Sequence, residues 1–442
     1  MIKLKDKQIT FRTHTLGCKV NLYESEAVNS LLCEEGWKLA LSDEDANVQI
    51  INTCTVTKMS DAKSRKLIRS LIRKNPKAII VVMGCYSQLN PTDILSIEGV
   101  DIVLGSEGRK KIPEYVYEYF DKKKQLNRVI DVSKIKHYED LKVSRLTNHT
   151  RGFIKIQDGC ENFCSYCAIP FARGPIRSRD PIDVLKEINH LVNVGVKEVI
   201  LAGINTGTYG QDLTNYNLPK LIDEILTKIP KLARLRLSSI ELMEVSDDLL
   251  DLFERYPTKL ARHLHIPLQA GSNTVLKRMK RRYLKEDYEA KINKIRSRFP
   301  DLAITTDCLA GFVGETEDEF QEALLFIEQV GFQMMHIFPY SRRKNTEADN
   351  LPNHLEKEII EARTKILLNL AKKLQKKYLE QMINTEAVVL IEQKKQDKYF
   401  GHTSNYVEVK VKSTQNIINK MVKVLITNID NQCEADILEV ID

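Results

Sequence analysis

The chain has 442 residues, 43% apolar and 29% charged, with 67 basic against 60 acidic side chains and a formal charge of +7. That length exceeds one ordinary core and predicts two to four domains, while no apolar run is long enough to span a membrane. The opening Met-Ile-Lys-Leu-Lys-Asp-Lys lacks the features of an export signal, and nine cysteines, an odd and modest number, fit a reducing cytoplasm with cysteine kept for metal better than a disulfide framework.

In chain order, residues 8–15 read as a strand, followed by Gly17-Cys18 and an amphipathic helix over 24–35. A second strand over 48–51 ends at Asn52-Thr53-Cys54. A basic helical stretch follows, and a third strand over 78–83 ends at Gly84-Cys85. Strand–loop–helix repetition predicts a parallel sheet with covering helices, and such sheets place ligands at the carboxyl ends of their strands. Cys18, Cys54 and Cys85 each stand at such an end, so they are candidates for one shared site; the alternative is three small buried hydrophobes. Cys33, on the apolar stripe of the first helix, and Cys308 and Cys433 read as core.

Residues 121–141 are charged and aperiodic, which predicts a linker. A second α/β run follows, with strands expected over 153–157, 198–202, 234–237, 263–267, 303–307 and 334–338. Asp180 as N-cap, Pro181 at the first helical position and Gly195 just past the end bracket a helix over 181–193. Six β/α units predict a partial barrel. A basic helix from 355 to about 380 closes this part. Short β-rich runs over 386–393, 406–412, 421–427 and 435–440 predict a small all-β barrel. The expected divisions are 1–125, a linker over 126–145, 146–375 and 376–442.

The densest chemistry lies in Cys160-Glu-Asn-Phe-Cys164-Ser-Tyr-Cys167, a Cys-x3-Cys-x2-Cys run at a strand end. Three thiolates on one loop suit a soft metal centre, and three protein ligands on a four-iron cluster leave one iron open. A structural zinc knuckle is the competing reading. It needs a fourth ligand, for which His149 is the nearest candidate. Two basic stretches, 58–77 with eight cations against Asp61 alone and 277–282 with five in six, offer surfaces to phosphate or simply face solvent.

Gly159 to Gly174, with Ala168-Ile169-Pro170-Phe171-Ala172-Arg173-Gly174 after the last cysteine, resembles the radical S-adenosylmethionine (SAM) superfamily and, within it, the methylthiotransferases. The resemblance covers nearly the whole chain. Thr15-Leu16-Gly17-Cys18-Lys19-Val20-Asn21, Asn52-Thr53-Cys54 and Gly84-Cys85-Tyr86 are similar to that family's N-terminal domain, and Gly401-His402-Thr403-Ser404-Asn405-Tyr406 to its C-terminal TRAM barrel. It implies two [4Fe-4S] clusters, one on Cys160, Cys164 and Cys167 and one on Cys18, Cys54 and Cys85. The first cleaves SAM to methionine and a 5′-deoxyadenosyl radical; the second handles the transferred sulfur. It further implies SAM contacts from Tyr166, Gly203, Ser239, Glu241, Gly311 and Gly314. Arg173, Arg177 and Arg179 are candidates to contact RNA or SAM, the alternative being a solvated rim.

Within the family, Cys18-Lys19-Val20-Asn21 and Gly84-Cys85-Tyr86-Ser87-Gln88 resemble the branch acting on tRNA bearing N6-threonylcarbamoyladenosine. The isopentenyladenosine branch usually has Gln-Met after that first cysteine, and the branch modifying a ribosomal-protein aspartate has Pro-Lys. The implied partners are a tRNA anticodon stem-loop, a one-electron reductant such as flavodoxin or ferredoxin, and a sulfur source, with no membrane. A non-catalytic zinc-dependent RNA-binding protein is the reading from another class. The chain departs from the family at Val313, where Pro is usual, at Asn345, where a Gly commonly precedes Thr346, and at Asn419, where TRAM barrels often carry Gly. The second departure leaves the 343–346 loop geometry open.

Overall fold

The computed structural model describes residues 8–144, 150–430 and 432–441; His149 lies outside them. The first unit is a six-stranded, wholly parallel sheet of β1 (Thr10–Thr15), β2 (Lys38–Leu39), β3 (Val48–Thr53), β4 (Ile79–Gly84), β5 (Ile102–Val103) and β6 (Leu126–Asn127), in the spatial order β2-β1-β3-β4-β5-β6. The three expected strands are its centre. β1, β3 and β4 are immediate neighbours, with Thr15 beside Asn52 and Thr53 beside Gly84. The three cysteines that follow them therefore leave the same edge of the sheet.

The stretch expected to be a linker is more structured than its composition implies. It contributes β6, and its Leu141 and Val143 are buried in one apolar cluster that runs from the N-terminal sheet into the central unit. Those two side chains sit in a core that both neighbours share, so burial overrides the local charge.

The central unit uses six parallel strands at the expected positions: β7 (Arg151–Lys155), then, after the short antiparallel pair β8 (Gln157–Asp158) and β9 (Arg177–Ser178), β10 (Glu198–Ala202), β11 (Arg234–Leu237), β12 (His263–His265), β13 (Ala303–Ala310) and β14 (Met334–Pro339). Two three-stranded halves, β7-β10-β11 and β12-β13-β14, join through the bridges Leu235–Leu260 and Ser239–His265 into a partial (β/α)6 barrel. The helix Pro181–Asn193 begins as expected, with the Asp180 side chain accepting from the Ile182 amide. Among the described residues no helix is long and apolar enough to cross a membrane.

The long helix Lys357–Glu380 leads into a closed five-stranded barrel of TRAM-like form, ordered β15 (Glu386–Lys395), β16 (Lys398–Thr403), β17 (Glu408–Lys412), β19 (Gln432–Val440), β18 (Met421–Asp430). β16 is a strand beyond the four expected. Its Lys-Tyr-Phe-Gly-His-Thr alternates Tyr399, Gly401 and Thr403 inward, and a glycine at the centre of the inward face hides the apolar periodicity. Asn419 adopts φ 61°, a left-handed conformation that Asn tolerates, which accounts for its standing where Gly is usual.

The two units meet through buried charge. Glu198 on β10 pairs with Arg236 at 2.9 Å and Arg234 at 3.1 Å. The same guanidinium groups donate across the junction to the carbonyls of Val388, His402, Thr403 and Ser404 at 2.9–3.1 Å.

Candidate active site

The loop carrying Cys160, Cys164 and Cys167 is held at its base by β8 and β9, each of two residues and silent in the sequence. The Cys160 amide donates to the Gly174 carbonyl at 3.1 Å, and the Cys167 amide to the Cys164 carbonyl at 2.9 Å. Gly159, at φ 79°, lies so close to the Pro175 carbonyl that a Cβ would fall 1.8 Å from its oxygen, so only glycine lets the loop close there. Ser165 pins the middle, donating from its hydroxyl to the Arg278 carbonyl at 2.7 Å and accepting from the Ala348 amide at 2.7 Å.

Cys18, Cys54 and Cys85 follow β1, β3 and β4. Cys18 is exposed, the other two buried. Gly84, at φ 105°, makes the turn into Cys85; a Cβ there would meet Asn52 Oδ1 at 2.4 Å and the Thr53 carbonyl at 2.5 Å. The three sulfurs are close enough for each to repel charge on the others.

One cavity of about 710 Å³ joins the two sets. Cys18 and Lys19 form one side and Cys160, Cys164 and Cys167 another. The carboxyl ends of the barrel strands supply a third, including Ser239, His263, His265, Asp307 and His336, and Tyr406 reaches in from the TRAM-like barrel. Tyr166, Gly203, Ser239 and Glu241, expected at the site, all line it. Tyr166 packs edge-on against Phe312, ring centroids 6.2 Å apart. Gly311 and Gly314 do not line it. Gly311 abuts Ile360 of the long helix and the Gly314 amide donates to the Asn353 carbonyl at 2.9 Å, both glycines at positive φ in a turn.

Each cysteine set has one arginine aimed at a sulfur, a role the sequence did not indicate for either; Arg173, expected to contact RNA or SAM, is instead buried. Arg281 donates to Cys164 Sγ at 3.4 Å and pairs with Glu241. Arg173, fully buried, donates to Cys85 Sγ at 3.1 Å and to Asn21 Oδ1 at 2.8 Å, and is anchored by Glu24 and Asp158. Arg173 thus bridges from the loop of one set to a sulfur of the other. Arg177 and Arg179, expected at an RNA- or SAM-facing rim, are buried too, with Arg177 on Glu107 at 2.8 Å and Arg179 on Glu187 and Asp140. Three of the five crowded cations of 277–282 meet carboxylates: Arg278 on Glu319, Lys280 on Glu347 and Arg281 on Glu241. The 343–346 loop is tied down, with Arg343 on Asp61 at 2.7 Å and Thr346 donating to the Arg343 carbonyl at 2.7 Å.

Burial pushes the Cys85 and Cys167 thiols up to about 12 and Cys160 to about 11. A bound metal centre supplies the positive charge that such thiols need to ionise. Among the described residues no three His, Cys, Asp or Glu side chains converge tightly enough for a single ion. Three soft donors in each group, an arginine on one sulfur and an adjoining cavity fit a polynuclear centre in which each thiolate holds its own iron. Beside the cavity, burial and the charges of Arg151 and Arg236 pull Lys19 down to about 8.

Comparison with known proteins agrees with this arrangement. The model described as "Uncharacterized protein family UPF0004" matches residues 10–105, and that of the radical SAM superfamily matches 154–327. The chain is 43% identical to the threonylcarbamoyladenosine tRNA methylthiotransferase MtaB of Bacillus subtilis (strain 168), covering 94% of this chain and 93% of the relative. It is 34% identical to the MtaB of Aquifex aeolicus (strain VF5), covering 93% and 98%. It is also 34% identical to a tRNA-2-methylthio-N(6)-dimethylallyladenosine synthase of Hydrogenobaculum sp. (strain Y04AAS1), covering 93% and 95%. Among solved structures, the radical SAM methyltransferase TsrM from Kitasatospora setae superposes with a TM-score of 0.58 over 78% of this chain and 77% of that one; at 15% identity the likeness is one of fold.

Proposed function

Because this chain belongs to the radical SAM tRNA methylthiotransferases and is similar to the MtaB type along nearly its whole length, we propose that it attaches a methylthio group to C2 of N6-threonylcarbamoyladenosine at position 37 of tRNA. The product is 2-methylthio-N6-threonylcarbamoyladenosine. The observation that carries this reading is the single cavity lined by Cys18 of one cysteine set and by Cys160, Cys164 and Cys167 of the other. Residues that would hold the two centres thus border one space, where a base could lie between them.

In this reading Cys160, Cys164 and Cys167 hold one [4Fe-4S] cluster and Cys18, Cys54 and Cys85 a second, and together these supply the electron that breaks a sulfonium C–S bond of SAM and the site where the transferred sulfur waits. The chain's own residues position and enclose. Tyr166, Gly203, Ser239 and Glu241 line the part of the cavity next to Cys160–Cys167 and are the proposed SAM contacts. Arg281 holds Glu241 and donates to Cys164, while Arg173 holds Glu24 and donates to Cys85. Phe163, more than half exposed on the cavity wall, offers a flat apolar face to a base that has left its stack. The helix Lys58–Lys74 begins just beyond Val56 of the cavity wall and exposes Lys58, Lys63, Lys66 and Arg69 to the RNA backbone.

The partners of this reading are a tRNA anticodon stem-loop, a one-electron reductant such as flavodoxin or ferredoxin, and a sulfur source. Nucleoside mass spectrometry of tRNA from cells lacking the gene tests it. The methylthio form of threonylcarbamoyladenosine is expected to disappear while the unthiolated nucleoside accumulates. Its persistence, in a cell with no second such enzyme, together with loss of methylthio-isopentenyladenosine, would move the substrate to the other branch. After anaerobic reconstitution, about eight irons per chain and 5′-deoxyadenosine formation are expected. Bound zinc without SAM cleavage would overturn the enzyme reading.

A further inference from the structure

Lys19 directly follows Cys18, and its side chain lines the cavity. Among the described residues its ammonium makes no hydrogen bond or ion pair, although Glu198 lies near enough to act on its charge and Asp307 lines the same cavity. Those carboxylates are engaged elsewhere. Glu198 is shared by Arg234 and Arg236, Glu392 holds Arg151 at 2.9 Å, and Asp307 lies 3.3 Å from His265. The glutamates there are held by arginines, and Lys19 has no carboxylate of its own.

The neighbouring wall is polar and also incompletely paired. His263 is 5% exposed, its Nε2 on the Thr305 hydroxyl at 2.8 Å and its ring stacked on Tyr406 at 4.9 Å, yet its Nδ1 is buried without a hydrogen-bond partner. His336 lines the same wall. A cation beside a buried imidazole nitrogen with no protein partner suits an anion that also carries donors and acceptors.

Building on the proposed substrate, we propose that Lys19, with His263 beside it, is the subsite that reads the carboxylate of the amino-acid group carried on N6 of the target adenosine. Adenine chemistry favours this position. C2 and C6 flank N1 on one edge of the ring, so the atom that receives sulfur and the nitrogen that bears the substituent lie close together. A reader next in sequence to Cys18 can meet the substituent while C2 faces the sulfur. An isopentenyl group has no charge to offer Lys19, so the same residue would select against that substrate by leaving its own charge unpaired.

The test compares two synthetic anticodon stem-loops on the reconstituted full-length enzyme, one bearing N6-threonylcarbamoyladenosine and one with its carboxylate converted to the neutral primary amide. Binding is read by fluorescence anisotropy and methylthio product by mass spectrometry, each as the acid-to-amide ratio within one protein, so that differences in folding or iron loading cancel. Wild type is expected to prefer the acid by about tenfold to a hundredfold, the range of one charge-assisted hydrogen bond. Lys19→Gln is expected to bring both ratios to near unity, and Lys19→Arg to keep most of the preference. Retention of the wild-type ratios in Lys19→Gln, with wild type active on the acid, overturns the subsite and leaves the substrate reading intact. Wild type that methylthiolates an isopentenyl stem-loop and not the acid overturns both.

Discussion

The two cysteine sets solve the same problem by opposite routes. Cys160, Cys164 and Cys167 occupy one loop, gathered by local bonds and a two-residue β clamp. Cys18, Cys54 and Cys85 are spread over 68 positions of chain and come together because β1, β3 and β4 are neighbours in a parallel sheet. The supporting arginines differ in the same sense. Arg281 pairs with one carboxylate, Glu241, at the cavity wall, whereas Arg173 sits in a buried lattice with Glu24, Asp158, Lys155, Arg109 and Arg177. A loop site depends on its own turn geometry; a distributed site depends on the whole interface behind it.

The sharpest way to break this comparison is to remove one thiol from each set. Cys164→Ala is expected to abolish SAM cleavage, read as 5′-deoxyadenosine. Cys54→Ala is expected to keep cleavage and yield no methylthio nucleoside; product from that variant would show that the distributed set is dispensable.

Next in size is the lattice behind Cys85. Arg173→Leu leaves Glu24 and Asp158 short of a cation in a fully buried setting, a change expected to cost about 3–5 kcal/mol in urea unfolding of the metal-free protein. The same lattice predicts a pH dependence. Burial alone would raise the Glu24 carboxyl, but Arg109, Arg173 and Lys155 outweigh it and hold it at about 2. Its stabilisation is therefore present above the ordinary carboxylate range and is lost as pH falls from about 5 toward about 2. In Arg173→Leu the Glu24 carboxyl is held down less, so that loss is expected to be smaller and complete at higher pH, visible in the unfolding midpoint against pH.

The smallest effect is expected on the loop side. Arg281→Lys keeps a charge but loses the planar fork shared by Glu241 and Cys164, and is expected to slow SAM cleavage about 10–100-fold while the unfolding midpoint barely moves. A stability loss as large as that of Arg173→Leu would erase the distinction between the two sites.

The same contrast governs what could be read before folding. The Cys160–Cys167 spacing marked a soft-metal loop, with iron–sulfur and zinc readings both open, and the six barrel strands lay within a few residues of where periodicity put them. Strand-end placement nominated Cys18, Cys54 and Cys85, although only the neighbouring order of β1, β3 and β4 turns nomination into convergence. Arg173 and Arg281 stand out in the sequence only as a candidate RNA or SAM contact and as part of a basic stretch; their place on a sulfur left no local trace, because their partners lie at distant positions and ion pairing has no period. β6, β8 and β9 are two residues each, too short for any alternation to register, and β16 hid behind its central glycine.

The grip on the TRAM-like barrel has a consequence for how such a chain can diverge. Arg234 and Arg236 take hold of carbonyl oxygens at Val388, His402, Thr403 and Ser404, and every residue type carries that oxygen. The docking loop can drift in side chains without slipping from its socket. What must stay is the ring of Tyr406 between His263 and His402. Lineages meeting different tRNAs can thus rewrite the barrel's outer face while the wall it lends to the cavity stays in place.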